Sequence, residues 1–185
     1  MSLIKAGTEV PYRVTFLSMT ARPDNQTALP QDITLERAMD PPLWYFFALY
    51  DAVGRDYEWV DQHNRPEAEL RAFLESPLVE LWVAKRGGVP QGFFILDFTE
   101  PPICDLAYFG LTPNAVGQGL GRALLNQALA QAWDGAGVTS VTINTCTLDH
   151  PRALALYQSA GFVAERFEDR SRVLTRDRDT SLHPA

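Results

Sequence analysis

Hydrophobic and polar positions along the first part of the chain predict one strand followed by two helices. Residues 12–20, YRVTFLSMT, are rich in β-branched and aromatic side chains, which favours a first strand. Residues 22–32 combine Pro, Asp, Asn and Gln and indicate a loop. The segment 41–55 opens with prolines and continues as a dense apolar run. The segment 65–75 repeats that arrangement with apolar residues on one helical face, so both segments predict helices.

The pattern changes after Pro77 to short apolar runs separated by turn residues, with a hairpin signal at Gly87-Gly88. The elements predicted there are strands at 79–88, 91–100 and 104–113, a helix at 120–133, a strand at 140–147, a short helix at 151–161 and a strand at 162–168. The tail from Asp169 predicts an exposed final strand and a frayed end. This order indicates one mixed α/β domain, antiparallel at first, with a parallel pair around the longer crossover helix.

Composition and charge narrow the class of protein. The chain has 185 residues, of which 46% are hydrophobic and 21% charged, as in ordinary globular proteins. The net charge of −7 argues against a surface that neutralises nucleic-acid phosphates. Cys104 and Cys146 are too few for a disulfide framework, and no Cys/His spacing suggests a metal. Without a signal-like or membrane-spanning apolar run, we expect a cytoplasmic protein that does not enter a membrane.

A cluster of alternate glycines, VGQGLGR at 116–122, precedes the predicted crossover helix. Glycine lets the backbone take positive φ and approach a ligand closely, and the free N–H groups of a helix N-terminus attract phosphate. Two familiar phosphate loops do not fit. Gly121 is followed by Arg122 and Ala123 rather than by Lys and Ser or Thr, and the glycine spacing differs from the dinucleotide-binding fingerprint. A plain strand-to-helix turn is the alternative interpretation.

A second segment, HPRALALYQSAGF at 150–162, helps to interpret the glycine loop. Together the two segments resemble the GNAT superfamily of acyl-CoA-dependent N-acetyltransferases, over roughly residues 81–168. In that family the loop reads Arg/Gln-x-x-Gly-x-Gly/Ala, which Gly119 and Gly121 match. A later motif, Asn-x-x-Ala-x-x-Leu-Tyr-x-x-x-Gly-Phe, is matched by Ala153, Leu156, Tyr157, Gly161 and Phe162. Two motifs in the right order are specific for the superfamily but not for a substrate.

The resemblance implies a GNAT-like fold, a mostly antiparallel central sheet with one parallel pair flanked by helices. It divides the domain into a first strand with acceptor-side helices (11–76), an acetyl-CoA-binding core (77–168) and a final strand with an exposed tail (169–185). It implies direct transfer of an acetyl group from acetyl-CoA to a primary amine of a small molecule or peptide, within a ternary complex and without a metal. Dimers are common in the family, so a homodimer is among the expectations.

The resemblance also assigns residues to the coenzyme. Those expected beside it are Phe109, Gly110, Leu111, Val116, Gly117, Gln118, Gly119, Leu120, Gly121, Arg122, Asn144, His150 and Ala153. Val116 stands where the family usually has Arg or Gln, and His150 where it has Asn. Backbone N–H groups can bind phosphate without a particular side chain, so we expect binding to survive the first departure. The second places a titratable group near the pantetheine arm.

Acetyl transfer needs a group that accepts the amine's proton and a group that protonates the leaving thiolate. Asp105 is the expected general base, because it falls where histone-acetylating members carry a catalytic glutamate. Strand alternation predicts one shared face for Asp105, Ala107 and Phe109, and Asp97 is the second choice. Tyr157 is the expected general acid, since the family places this tyrosine near the sulfur. The alternatives are a structural strand-end aspartate and a core tyrosine.

The acceptor side is less well marked in the sequence. The family borders this site with its first two helices, so Trp44, Tyr45 and Trp59 are expected to shape an acceptor pocket. Core packing of the first helix is the alternative for most of these aromatic residues. A non-catalytic acyl-CoA-binding or protein-interaction module is the alternative function.

A third function, a cysteine hydrolase, is suggested by the closeness in sequence of Cys146, Asp149 and His150. No activating motif surrounds the cysteine, and a small strand residue is the commoner explanation.

Overall fold

The computed structural model describes residues 3–24 and 27–180. The strands are β1 (Leu3–Ile4), β2 (Glu9–Met19), β3 (Ile33–Ala38), β4 (Val79–Arg86), β5 (Val89–Asp97), β6 (Ile103–Leu111), β7 (Ser140–Cys146), β8 (Val163–Val173) and β9 (Arg178–Asp179). The helices are α1 (Leu43–Gly54), α2 (Glu67–Leu74), α3 (Leu120–Asp134) and α4 (Ala153–Ser159). Short 3-10 turns lie at Arg55–Tyr57, Asp61–His63 and Pro113–Ala115.

The described residues form a central seven-stranded sheet in the order β3-β4-β5-β6-β7-β2-β8, and β1 pairs with β9 beside it. Neighbouring strands of the central sheet are antiparallel except β6 and β7, which are parallel and joined through α3. Because a parallel pair needs a crossover connection, α3 has to return the chain across the sheet. The predicted mixed α/β class, with one parallel pair and flanking helices, is confirmed.

Helices cover both faces of the sheet, and each face has its own apolar core. On one face α3 and α4 bury residues such as Leu124, Leu125 and Tyr157. On the other face α1 and α2 bury residues such as Phe46 and Leu70 against β4 and β5. The apolar stripes recognised in the sequence therefore face the sheet, as amphipathic helices do in a layered domain.

Three details differ from the sequence-based expectations. Strand β3 was not predicted, because this short edge strand alternates apolar and polar residues over only six positions. Helices α1 and α2 each begin two residues later than predicted, because Pro42 and Pro66 keep extended backbones as N-caps. Residues 169–173 continue β8 without a break, so the predicted boundary at Asp169 is wrong, and the final strand of the tail is the short β9. The expected frayed end at 181–185 lies outside the described residues.

Strand β6 contains a bulge that reverses the direction of its side chains. Leu96 lies opposite Leu106 and Ile95 lies opposite Tyr108, so Ala107 is the extra residue. Leu106 and Phe109 both pack on the α3 and α4 face, whereas Tyr108 packs on the α1 and α2 face. The expectation that Asp105, Ala107 and Phe109 share one face is therefore wrong, because the bulge moves Phe109 to the face opposite Asp105.

Candidate active site

A cavity of about 670 Å³ opens where β6 and β7 stop pairing. The parallel ladder joins only Ile103–Asp105 to Ser140–Thr142, although both strands continue beyond it. Residues 106–111 of β6 line one side of the opening, and Ile143, Asn144 and Cys146 of β7 line the other. The end of the parallel ladder thus creates a site between two strands of the same sheet.

The part of β6 that borders the cavity pairs with β5 on its other side. Thr112 N–H bonds to Gln91 on the β5 side, so strand alternation turns the Gly110 N–H toward β5 and the Phe109 and Leu111 N–H groups toward the opening, where β7 offers no partner. Gly110 is small for a packing reason, since a Cβ there would lie 2.3 Å from Val53 Cγ1. Helix α1 therefore packs directly on the strand that carries these donors.

The glycine loop forms the next part of the cavity wall. Gly117 and Gly119 have φ of 83° and 79°, in the left-handed region that favours glycine. A Cβ at either residue would meet no atom within 4 Å, so the space above the loop is open. Gly119 is the N-cap of α3, and the free N–H groups of the first turn of α3 give this end the character of an anion site.

Two of the expected coenzyme residues turn their side chains elsewhere. Gln118 Oε1 accepts a hydrogen bond from Arg86 Nη1 at 2.7 Å, and its Nε2 donates to the Asn114 carbonyl oxygen at 2.6 Å. Leu120 is buried in the core under the sheet. These two residues can offer a ligand their backbone, while their side chains fix the loop to the rest of the domain.

Basic side chains from α3 and from the N-cap of α4 line the cavity beside the glycine loop. Arg122 and Arg152 line the cavity, and Arg122 Nη2 donates to Ser159 Oγ at 2.6 Å, which joins the two helices. His150 Nδ1 accepts a hydrogen bond from the Arg152 N–H at 3.1 Å. Val116, Gly121, Asn144, His150 and Ala153 also line the cavity, as expected for coenzyme neighbours. This side of the cavity therefore combines backbone donors with positive charge.

Tyr157 reaches the cavity from α4, although it is only 5% exposed. Its ring lies edge-on to Phe109, with centroids 6.0 Å apart, beside the free donors of β6. Burial, with a smaller contribution from Asp149, raises the pKa of the hydroxyl above its usual value. Like any tyrosine, the residue keeps its proton at neutral pH, and its position beside Phe109 places that proton at the cavity.

Asp105 does not belong to the cavity wall. Its Oδ1 accepts a hydrogen bond from Thr142 Oγ1 at 2.6 Å, and Asp97 lies opposite it on β5. Burial raises the pKa of Asp105, the Thr142 hydrogen bond lowers it, and the Asp97 charge raises it again. Among the described residues that line the cavity, neither Asp105 nor Asp97 is present. The geometry therefore favours a structural role for this carboxyl group.

Aromatic side chains line the remaining side of the cavity, and Trp59 is the one that the sequence singled out. Its ring packs so closely on the end of α1 that a Cβ at Gly54 would lie 2.3 Å away. Trp59 Nε1 donates to Asp149 Oδ1 at 3.2 Å. The other two expected acceptor residues do not reach the site. Trp44 is 71% exposed, and neither it nor Tyr45 is among the described cavity residues.

Several cavity residues were missed by sequence reasoning. They include Tyr12, Phe16, Tyr57, Glu58, Asp61, Tyr108, Asp149, Arg170 and Arg172. Tyr108 accepts a hydrogen bond from Gln62 Nε2 at 2.5 Å, and burial raises the pKa of its hydroxyl to about 12. Asp149 was noticed only for its closeness to Cys146. No local signal marks the others, since distant segments bring them together.

The environment of Cys146 argues against a hydrolase. Burial, reinforced by the Asp149 charge, raises the pKa of the thiol to about 12. The Asp149 carboxylate accepts hydrogen bonds from the Cys146 N–H at 2.8 Å and from Thr145 Oγ1 at 2.7 Å. The thiolate that a cysteine nucleophile requires is therefore disfavoured, because burial and the Asp149 carboxylate outweigh the attraction of Arg172.

The central sheet opens between its two parallel strands. A glycine-capped helix and a second helix with a buried tyrosine lie beside this opening, and this is the architecture of GNAT-type acyltransferases. The chain belongs to the Acetyltransferase (GNAT) family, whose sequence profile matches residues 46–162. Members of this family are acyltransferases. A comparison with curated protein sequences found no significant match.

Solved structures show the same fold. A GCN5-related N-acetyltransferase from Kribbella flavida is 16% identical, with a TM-score of 0.58 over 86% of this chain and 56% of that chain. An aminoglycoside acetyltransferase from an uncultured soil metagenomic sample, in complex with trehalose, is 22% identical, with a TM-score of 0.53 over 73% and 91%. A GNAT family acetyltransferase from Elizabethkingia anophelis with acetyl-CoA bound is 19% identical, with a TM-score of 0.53 over 74% and 80%.

The chain spans little more than half the length of the Kribbella protein. No helix within residues 3–24 and 27–180 has the length and apolar character needed to cross a membrane. The same residues contain no group of three or more His, Cys, Asp or Glu side chains placed to hold a metal ion.

Proposed function

We propose that this protein transfers an acetyl group from acetyl-CoA to a primary amine by direct attack within a ternary complex. The observation that supports this most strongly is the opening between β6 and β7, which exposes free backbone donors next to the glycine-capped N-terminus of α3. A thioester and a pyrophosphate need these two kinds of group. The family to which the chain belongs supports the same reaction.

Each part of the wall has a role in this proposal. Acetyl-CoA supplies the activated acetyl group. The loop from Gly117 to Gly121 and the Arg122 guanidinium hold the pyrophosphate. Asn144, His150 and Ala153 lie along the pantetheine arm. The N–H groups of Phe109 and Leu111 face the opening, and one of them donates to the thioester oxygen as negative charge develops on it, which lowers the barrier to attack.

Tyr157 protonates the departing thiolate. Its hydroxyl is neutral at working pH because the ordinary pKa of tyrosine is already about 10, and a thiolate of pKa about 8.5 bears negative charge as it leaves. Phe109 fixes the tyrosine ring from the side of the strand. The aromatic wall around Trp59, opposite the coenzyme residues, receives the body of the acceptor.

A thiol-release assay tests the proposal. Acetyl-CoA is incubated with the protein and a panel of primary amines at several pH values, and acetylated products are identified by mass spectrometry. We expect one thiol released for each acetylated amine. Calorimetry with acetyl-CoA alone separates the alternatives, because binding without transfer to any amine indicates a non-catalytic module. Absence of binding contradicts the coenzyme site itself.

A further inference from the structure

Glu58 has an unusual combination of burial, backbone conformation and position. It follows the 3-10 turn at Arg55–Tyr57 and lines the cavity, yet only 2% of its surface is accessible. Its φ of 60° and ψ of 33° place a non-glycine residue in the left-handed region. Such conformations persist only where surrounding contacts enforce them, and they are concentrated at functional sites.

The Glu58 carboxylate is held from one side only. Its Oε2 accepts hydrogen bonds from the Thr175 N–H at 3.0 Å and the Thr175 hydroxyl at 2.9 Å. The Glu58 backbone oxygen accepts a further bond from Arg172 Nη1 at 2.5 Å. Both side-chain bonds use Oε2 rather than Oε1. One oxygen is therefore anchored to the C-terminal segment, and the residue that carries it lines the cavity.

No described base lies within ion-pair distance of this carboxylate, although its charge and that of Arg178 attract each other. Arg172 is engaged by Asp61, with Nη2 and Oδ1 2.9 Å apart. Arg178 donates instead to the backbone oxygens of Leu148 and Asp56. The titratable groups around Glu58 are thus Tyr57, Asp61, Asp149, Arg172 and Arg178. Since Arg178 attracts the buried carboxylate without a direct ion pair, a cation supplied by a ligand in the cavity would stabilise it further.

The neighbouring wall is suited to such a cation. Tyr57 and Trp59 flank Glu58 in sequence, and all three line the cavity together with Tyr108. The Trp59 and Tyr108 rings lie edge to face with centroids 5.6 Å apart. Aromatic faces attract an ammonium group, and they also accommodate an apolar body attached to it. A carboxylate within an aromatic wall therefore fits a primary ammonium ion with an apolar or aromatic substituent.

We propose that Glu58 binds the ammonium group of the acceptor and removes its first proton. The acceptor class is a primary amine with an apolar or aromatic body, and this inference rests on the proposed function. The proton passes from the ammonium nitrogen to Glu58 Oε1, and the freed lone pair forms the C–N bond to the thioester carbonyl. The C–S bond then breaks, and Tyr157 protonates the thiolate. The second proton of the amine returns to Tyr157 through water, and Glu58 releases its proton to solvent.

The test compares Glu58→Gln with Glu100→Gln, which makes the same chemical change at an exposed turn away from the cavity. The probe is 2-phenylethylamine, with acetyl-CoA at saturation. For Glu58→Gln we expect kcat/KM for the amine to fall about 100-fold or more. The variant's rate should then rise with pH toward the pKa of the amine, because only free base can react. The affinity for acetyl-CoA and the pH profile of Glu100→Gln should match the unmodified protein.

The outcomes separate the two proposals. If the unmodified protein releases thiol with none of the amines in the panel, the proposed function fails. If it is active and Glu58→Gln keeps the rate and the pH profile of the unmodified protein, the role of Glu58 is overturned. The same conclusion follows if Asp105→Asn, rather than Glu58→Gln, causes the loss of rate and the new dependence on the pKa of the amine.

A second variant keeps the proposal testable if Glu58→Gln does not fold. Thr175→Val removes the hydroxyl that bonds Oε2 but leaves the carboxylate and the backbone donor. Because that hydroxyl holds one carboxylate oxygen in place, we expect kcat/KM for the amine to fall while the affinity for acetyl-CoA stays the same. An unchanged kcat/KM for the amine in a folded Thr175→Val variant contradicts the proposal.

Discussion

Gly119 offers a direct way to measure the anion-binding character of the α3 N-terminus. Replacing it by Asp or by Asn adds side chains of nearly equal size to the same open space. Both must adopt a φ near the 79° of the native glycine, a conformation that Asn and Asp tolerate better than most residues. The two variants therefore differ mainly by one negative charge at the end of the helix.

The expected magnitude follows from this difference. A carboxylate about 5 Å from a bound phosphate repels it by roughly 1 kcal/mol at the dielectric constant of water and roughly 3 kcal/mol at an effective value near 20. We therefore expect acetyl-CoA to bind Gly119→Asp about 5- to 150-fold more weakly than Gly119→Asn. The same charge should stabilise the unliganded helix by about 0.3–1 kcal/mol, since acidic groups are favourable at helix N-termini.

Calorimetric titration with acetyl-CoA and urea unfolding without ligand measure the two effects separately. A phosphate site at this helix end is supported if Gly119→Asp binds acetyl-CoA more weakly than Gly119→Asn but is more stable to unfolding without ligand. Raising the salt concentration should narrow the difference in affinity, because exposed charges are screened. Equal acetyl-CoA affinity for the Asp and Asn variants would refute the reasoning.

Three further predictions follow from the cavity wall. Tyr157→Phe should lower kcat about 100-fold with acetyl-CoA affinity changed less than about 2-fold; steady-state kinetics with an unchanged kcat would remove Tyr157 from the mechanism. Val116→Arg should tighten acetyl-CoA binding about 3- to 10-fold by adding a charged donor, and a marked loss in calorimetry would mean that the loop is arranged differently. Gly110→Ala should destabilise the protein by about 1–3 kcal/mol, because its Cβ would lie 2.3 Å from Val53 Cγ1. In urea unfolding, the additional change Val53→Ala should recover part of that loss, and no recovery would contradict this packing.

Local patterns were sufficient for most of the fold. The helical stripes, the Gly87-Gly88 hairpin and the position of the crossover helix could be inferred because each is encoded within a short segment. Strand β3 could not be predicted because an edge strand of six residues shows only a weak alternation of apolar and polar residues. The length of β8 could not be predicted either. Its polar sequence does not favour a strand, and pairing with β2 along its whole length keeps it extended.

The candidate site was predicted unevenly for a similar reason. The glycine loop and Tyr157 lie in contiguous motifs, so their places in the cavity could be anticipated. The face of Phe109 could not, because the bulge at Ala107 depends on pairing with β5. Glu58 gave no local signal, since its position is imposed by Thr175 and Arg172, more than 110 residues away.

Hydrogen exchange with and without acetyl-CoA tests most directly whether the coenzyme binds in the opening between β6 and β7. Amide exchange at residues 109–111 and 117–123 should slow together on binding, because backbone N–H groups of both segments donate to the ligand. Gly119→Asp should weaken this protection in both segments at a given concentration. Acetyl-CoA that binds while leaving both segments unprotected, or that protects a different face of the sheet, would contradict the account.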